Sequence, residues 1–177
     1  GEAVEGTLKA ARKYAYKKGT GRYEFIAMKE SFHGRSFGAV SVTGHDAYRE
    51  PFEPLVPGVS FAQYNDLDSV EQLFQQHRGN VAAVILEPVA ANMGVVLPKP
   101  GFLQELRRLC DANGALLIFD EVITGFRLAF GGAQEYFGVQ ADLATYGKII
   151  GGGMPVGAYG GRREIMETVA PLGGVYQ

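Results

Sequence analysis

The period of apolar positions changes several times along the chain, and each change marks an element. Val4, Leu8, Ala11 and Ala15 recur at helical spacing, Glu2 and Glu5 suit a helix N-terminus, and the stretch from Gly19 to Gly21 should end the helix. Residues 24–29 read as a strand, and Ser31-Phe32-His33-Gly34-Arg35 as a loop leaving its C-terminal end. Residues 44–60 hold three prolines and are expected to wander over the surface. Residues 67–77 form a short amphipathic helix pattern. Val81–Leu86 is an unbroken apolar run, the pattern of a strand covered on both faces. Phe102, Leu103, Leu106, Leu109 and Cys110 mark one face of a further helix, with Gly114 as its C-cap. Residues 115–119 are the next buried strand, ending in Asp120, and residues 162–169 read as a final short helix.

Strands alternating with helices predict an α/β fold, a mostly parallel sheet with helices on both faces and right-handed crossovers. In such sheets ligands gather at the carboxyl ends of the strands. Residues 32–35, 87–92, 120–124 and Lys148 each follow a predicted strand, so four segments are expected at one edge.

Composition narrows the function classes. Apolar residues make up 46% of the 177 residues, enough for a core, and a net charge of −2 gives no electrostatic footprint for nucleic acid or anionic membrane. No apolar run approaches the roughly 20 residues that cross a bilayer. A single cysteine, Cys110, excludes an internal disulfide framework and suits a reducing compartment, so a cytoplasmic protein is expected. The helical pattern starts directly at Gly1 and the chain stops just beyond Gly173-Gly174, which suggests a piece of a longer protein.

The candidate chemistry centres on Asp120 and Lys148. Asp120 ends an apolar strand, and a buried carboxylate is costly unless paired. Lys148 precedes the turn Gly151-Gly152-Gly153. Pyridoxal 5'-phosphate needs both groups: a lysine for a Schiff base and a carboxylate to keep its ring nitrogen protonated. Taken singly, Lys148 can be a surface lysine and Asp120 a turn cap. Val122 alternates with Asp120 and should point the same way, against a ring face or into the core. Phe32 in the first loop offers a stacking surface for a ring, and His33 is a further candidate beside it, although a lone histidine in a glycine-containing loop is more often structural or exposed. Asn92 can reach a phenolic oxygen and Glu87 a basic group or substrate amine, although both also suit ordinary turns around Pro88 and Gly94. The helix N-terminus at Gly1 and Glu2 presents free N–H groups to a phosphate. The glycines around Lys148 fit neither a P-loop nor a dinucleotide fingerprint, and His33, His45 and His77 are too scattered for a zinc site.

Together these residues resemble class III, fold-type I pyridoxal-phosphate-dependent aminotransferases. Residues 1–64, with Ser31-Phe32-His33-Gly34-Arg35 and Tyr48-Arg49-Glu50-Pro51-Phe52-Glu53-Pro54-Leu55, are similar to acetylornithine aminotransferases. From about residue 79 onward the chain is similar to glutamate-1-semialdehyde 2,1-aminomutases, through Leu86-Glu87-Pro88-Val89, Asn92-Met93-Gly94, Asp120-Glu121-Val122-Ile123-Thr124-Gly125-Phe126-Arg127 and Tyr146-Gly147-Lys148-Ile149-Ile150-Gly151-Gly152-Gly153-Met154-Pro155. This division raises a chimera joined between residues 64 and 80.

The resemblance implies Lys148 as the Schiff-base residue, Asp120 as the ring-nitrogen partner, and Val122 and Phe32 on the two ring faces. Acetylornithine aminotransferases carry Gln where this chain has Ile123. The aminomutases use the Asn of their Asn-x-Gly motif instead, here Asn92. Two features depart from the aminomutase pattern: Phe32-His33-Gly34-Arg35 in place of Tyr-His-Gly-His, and a short connection in place of a gating insertion. The resemblance further implies that residues 1–177 are the cofactor-binding large domain, lacking an N-terminal segment and a small C-terminal domain. It implies a small amino-acid-like substrate and a homodimer for the full-length enzyme. Acetylornithine or other ω-amino transamination, an inactive truncated scaffold and a cofactor-free α/β domain are the alternatives.

Overall fold

The computed structural model describes residues 1–176. It contains a six-stranded sheet of order β2-β1-β3-β4-β5-β6. The strands are β1 (Glu24–Met28), β2 (Val59–Ala62), β3 (Val81–Leu86), β4 (Leu116–Asp120), β5 (Leu143–Tyr146) and β6 (Ala158–Gly161). All neighbouring pairs are parallel except β5 and β6. The helices are α1 (Glu2–Lys17), α2 (Phe37–Ser41), α3 (Asp46–Arg49), α4 (Leu67–Gln76), α5 (Phe102–Asn113), α6 (Gly132–Phe137) and α7 (Arg163–Met166).

The unbroken apolar runs follow from burial on both faces. Ile26, Met28, Val84, Leu86, Leu117 and Phe119 pack with Val70 and Phe74 of α4 and Leu103, Leu106 and Cys110 of α5. Their alternates Phe25, Ala27, Ala83, Ile85, Leu116 and Ile118 pack with Val4, Leu8 and Ala11 of α1 and Ile165 of α7. The sheet is thus the middle of three layers, as the alternating pattern predicts. No described helix is long and apolar enough to cross a membrane.

Local signals account for most boundaries. Asp66 caps α4 by accepting from Ser69 N at 3.1 Å. Gly114 ends α5 in the left-handed region, φ 64°, as its C-cap reading requires.

Several elements differ from the sequence expectation. Residues 44–60 do cross the surface, but they contain α3, a 3-10 turn at Glu50–Phe52 and the start of edge strand β2. The final helix is α7, four residues rather than residues 162–169. There Thr168 N and Oγ1 both donate to Ile165 O, and Val175 N turns back to Thr168 O, so the backbone leaves the helix. Strand β6 lacks any apolar run. It forms because glycine lets the backbones close: a Cβ at Gly161 would collide with Asp142 O and Leu143.

Candidate functional site

Parallel strands deliver their C-terminal loops to one sheet edge, and the candidate residues meet there. Phe32, His33 and Gly34 follow β1, Glu87, Val89 and Asn92 follow β3, and Val122 and Ile123 follow Asp120 at the end of β4. Lys148 follows β5. These residues and Gly1, at the head of α1, line one cleft. Glu2 lies outside it, in an adjoining cavity bordered by Gly1, Val122 and Lys148. Eight of the nine sequence-predicted residues therefore share the cleft, and the ninth borders its neighbour.

Asp120 forms the floor. It is 5% exposed, and three hydrogen-bond donors surround its carboxylate. Oδ1 accepts from Val122 N and Thr145 Oγ1, both at 3.1 Å, and Oδ2 lies 2.7 Å from His33 Nδ1. A carboxylate only accepts, so Nδ1 carries the proton in this contact. Burial alone would push the Asp120 carboxyl up. The hydrogen bond and charge of His33, with the Val122 and Thr145 donors, outweigh it and hold the group below the usual carboxylate range.

The first loop is pinned from several sides. Phe32 N donates to Glu87 Oε1 at 3.0 Å, and His33 N donates to Thr43 Oγ1 at 3.0 Å. The Phe32 ring meets Tyr48 edge-on, with centroids 5.6 Å apart. Gly34 has φ 125°, and a Cβ there would stand 2.8 Å from Gly1 Cα. Glycine at 34 therefore lets the loop touch the N-terminus of α1, bringing the free N–H groups of that helix to the cleft.

Glu87 is buried at the other side. Burial pushes its carboxyl up and Asp120 adds to the rise, against the opposing effects of His33, Phe32 N–H and the Asn92 side chain. Tyr64 holds the following turn by donating from its hydroxyl to Pro88 O at 3.0 Å. Asn92 itself is exposed at the tip of the turn closed by the Ala90–Val96 bridge.

Lys148 opens a 3-10 turn, Lys148–Gly151, with a backbone φ of 46°, in the left-handed region that side-chain-bearing residues seldom occupy. Before it, a Cβ at Gly147 would sit 3.2 Å from Val122 Cγ1, so glycine permits this close approach of the two segments. The lysine is exposed and also borders a mostly apolar chamber formed by Val89, Ala91, Val95, Ile123, Leu128 and Ile149, where Arg127 is the other cation.

Three contributions were not assigned from sequence. Ile123 and Val89 line the cleft, and only their places after strands hinted at it. Glu121 is fully buried. Its Oε1 accepts from Thr124 Oγ1 and Ala133 N, and its Oε2 from Gln134 Nε2, which ties the loop after β4 to α6. Its partners lie up to thirteen residues away and follow no local pattern.

The donor set suits pyridoxal 5'-phosphate. A buried carboxylate kept ionised, a lysine amine, apolar walls and the N-terminus of a long helix surround one space. Among the described residues no cluster of three His, Cys, Asp or Glu side chains could hold a metal ion.

Comparison with known proteins agrees in kind. The family model for class-III aminotransferases matches residues 1–176. Glutamate-1-semialdehyde 2,1-aminomutases of Alkaliphilus oremlandii and Acetivibrio thermocellus are each 59% identical over 99% of the chain, residues 1–64 included with the rest. The chain spans 42% of the length of each. Among solved structures, an (S)-enantioselective ω-transaminase from Thermomicrobium roseum superposes with a TM-score of 0.87 at 33% identity, over 96% of this chain and 42% of that one. An ω-transaminase from Sphaerobacter thermophilus gives a TM-score of 0.80 at 37% identity, over 98% and 41%.

Proposed function

Since the chain belongs to the class-III aminotransferase family, we propose that its cleft holds pyridoxal 5'-phosphate and that the whole protein converts glutamate-1-semialdehyde to 5-aminolevulinate. The observation that carries this is the buried, ionised Asp120 facing the same cleft as the Lys148 amine. The aminomutase relatives, at 59% identity, favour this reaction over a transamination with a separate acceptor.

When bound, the cofactor supplies an aldehyde that takes up amines and a ring that withdraws electrons from the adjacent carbon. Asp120 balances the positive charge of a protonated ring nitrogen, and His33 holds Asp120 in place. Val122 and Phe32 supply the apolar walls for the ring. Asn92 offers an amide to the phenolic oxygen, and Glu87 holds Phe32 through its backbone. The head of α1 at Gly1 and Glu2 takes the phosphate. Lys148 Nζ anchors the cofactor and moves protons between the two neighbouring carbons of the substrate, as a lysine on a flexible stem can. The apolar chamber with Arg127 suits a substrate whose carboxylate lies beyond methylene groups. Both criteria fit glutamate-1-semialdehyde.

The full-length protein is proposed to be a homodimer, on the exposed apolar side chains Phe130, Met154 and Leu172, and to work in the cytoplasm, where the unpaired Cys110 stays reduced. Addition of pyridoxal 5'-phosphate to this chain should give a saturable visible absorbance. Borohydride should then fix a pyridoxyl group on Lys148, found by peptide mass spectrometry and lost in Lys148→Ala. A chain that binds no cofactor, or binds it equally in Lys148→Ala, overturns the assignment. In the whole protein, product without any added amino acceptor separates the aminomutase from the ω-amino transaminase reading.

A further inference from the structure

Glu5 stands in the first turn of α1, but its side chain reaches across to α2. Its Oε1 accepts from Ser36 Oγ at 2.7 Å and from Ala39 N at 3.0 Å, where the first loop runs into that helix. A serine at the N-cap of a helix ordinarily accepts from an amide of the first turn. Ser36 occupies that position in α2 and makes no such bond. Its hydroxyl donates to Glu5 instead, and the N–H of the fully buried Ala39 finds its acceptor on the other helix.

The backbone makes room for this contact. A Cβ at Gly38 would collide with the Glu5 carboxylate, so glycine lets α2 settle on it. Ser36 Oγ also lies close to Gly1, where a Cβ would stand 3.1 Å from it. The Glu5 main chain holds the same end of α1, its N–H donating to Gly1 O at 2.9 Å. One residue thus ties Gly1 through its backbone and the approach to α2 through its side chain. A carboxylate in the first turn also competes with any anion for the positive end of a helix. At Glu5 that competition is reduced, because two donors from the α2 side engage the carboxylate.

We propose that Glu5 is a positioning residue for the phosphate end of the cleft. It acts through Ser36 and Ala39: by clasping the segment 34–39 against the head of α1, it fixes where the first loop meets Gly1. Gly1 and Gly34 both line the cleft at that meeting point. The ring end of the cleft is held independently. Phe32 N is bound by Glu87, His33 N by Thr43 and the His33 ring by Asp120, none of them through Glu5. Loss of the clasp is therefore felt at the phosphate end and not at the ring end. This consequence rests on the pyridoxal phosphate reading of the cleft, whereas the clasp belongs to the protein without any ligand.

The test compares pyridoxal 5'-phosphate with pyridoxal, which lacks the phosphate, by absorbance titration of the whole protein and its Glu5→Met variant. Methionine keeps the side-chain length and the helix and removes the acceptor. Affinity for pyridoxal phosphate should fall about tenfold, the scale of one lost hydrogen bond to a charged group. Affinity for pyridoxal should stay that of wild type. Glu5→Gln keeps an acceptor oxygen and should not lower the ratio of the two affinities. In the ligand-free protein the Ala39 amide should exchange with solvent faster in Glu5→Met than in wild type, and the His33 amide should not. An equal loss for both compounds, no loss for either, or a loss in Glu5→Gln as large as in Glu5→Met would overturn the proposal. If Glu5→Met does not fold, Ser36→Ala decides. It removes one of the two donors at an exposed position and should lower the ratio by a smaller factor, and an unchanged ratio overturns the proposal. A wild type that binds neither compound ends the pyridoxal reading and the role at the phosphate end with it. Unaltered Ala39 exchange in Glu5→Met refutes the clasp alone.

Discussion

His33 Nδ1 and Asp120 Oδ2 stand 2.7 Å apart, both side chains withdrawn from solvent, eighty-seven residues apart in sequence. This contact joins the loop after β1 to the end of β4, across the intervening β3. Removing one partner strands the other. His33→Ala leaves a buried carboxylate without its main donor and should cost about 3–5 kcal/mol at neutral pH. The sign with pH follows from Asp120, whose folded pKa is depressed. Its contribution is present above the ordinary carboxylate range, near 4, and is lost as pH falls through the lower folded value. Urea unfolding of wild type and His33→Ala should therefore diverge at pH 7 and converge in acid.

Glu87 has the opposite sign. Its folded pKa is raised, chiefly by burial, so its favourable contribution is present below the unfolded pKa and is lost as pH rises through the folded one. Glu87→Gln keeps an oxygen for Phe32 N–H and carries no charge. The variant should match wild type in mild acid and exceed it by a few degrees in Tm at pH 8. Thermal melts from pH 4 to 9 give the comparison.

Lys148 can be separated into its backbone and its amine. The left-handed conformation at φ 46° costs a side-chain-bearing residue about 1–2 kcal/mol relative to glycine. Glycine returns roughly 0.5–1 kcal/mol of this as lost chain entropy. Lys148→Gly should thus be up to about 1.5 kcal/mol more stable than Lys148→Ala. Neither variant can hold a pyridoxyl group after borohydride treatment. A less stable glycine variant would refute the backbone argument without touching the chemistry.

The sequence made the sheet centre legible and its margins illegible, for a physical reason. Strands β3 and β4 are buried on both faces, so Val81–Leu86 and residues 115–119 had to be continuously apolar. Strand β6 sits at an edge and is specified by what glycine permits, not by what apolar side chains demand. Helices α2 and α6 span five and six residues, too short to display a periodic face. The site was legible because parallel strands place every following loop on one edge, which made sequence position a guide to spatial position. Glu2 fell just outside the cleft because the head of α1 is presented by its backbone at Gly1. Glu121 was read only as part of a motif, since its partners on α6 exist only in the folded chain.

Gly34 tests whether the approach of the first loop to α1 matters. Alanine there meets two obstacles: a φ of 125° that side-chain-bearing residues avoid, and a Cβ 2.8 Å from Gly1 Cα and 3.0 Å from Ala39 Cβ. The backbone penalty alone is about 1–3 kcal/mol, and relief requires the loop and helix to separate. Gly34→Ala should lower stability by that amount and weaken cofactor binding further, because Phe32 and His33 move with the loop.

Glu121 supplies the last case, a buried carboxylate held by neutral donors alone. Thr124 Oγ1, Ala133 N and Gln134 Nε2 all donate to it, and it is 0% exposed. Glu121→Ala removes the acceptor from three buried or half-buried donors at once. A cost of about 2–4 kcal/mol follows if one or two stay unsatisfied, at roughly 1–3 kcal/mol each. The loss should be local before it is global, since these bonds join the loop carrying Val122 and Ile123 to α6. Hydrogen exchange at the Ala133 amide should accelerate more than at Ile118 in the centre of β4. Equal acceleration at both would mean that Glu121 supports the fold as a whole and has no special hold on the loop beside the cleft.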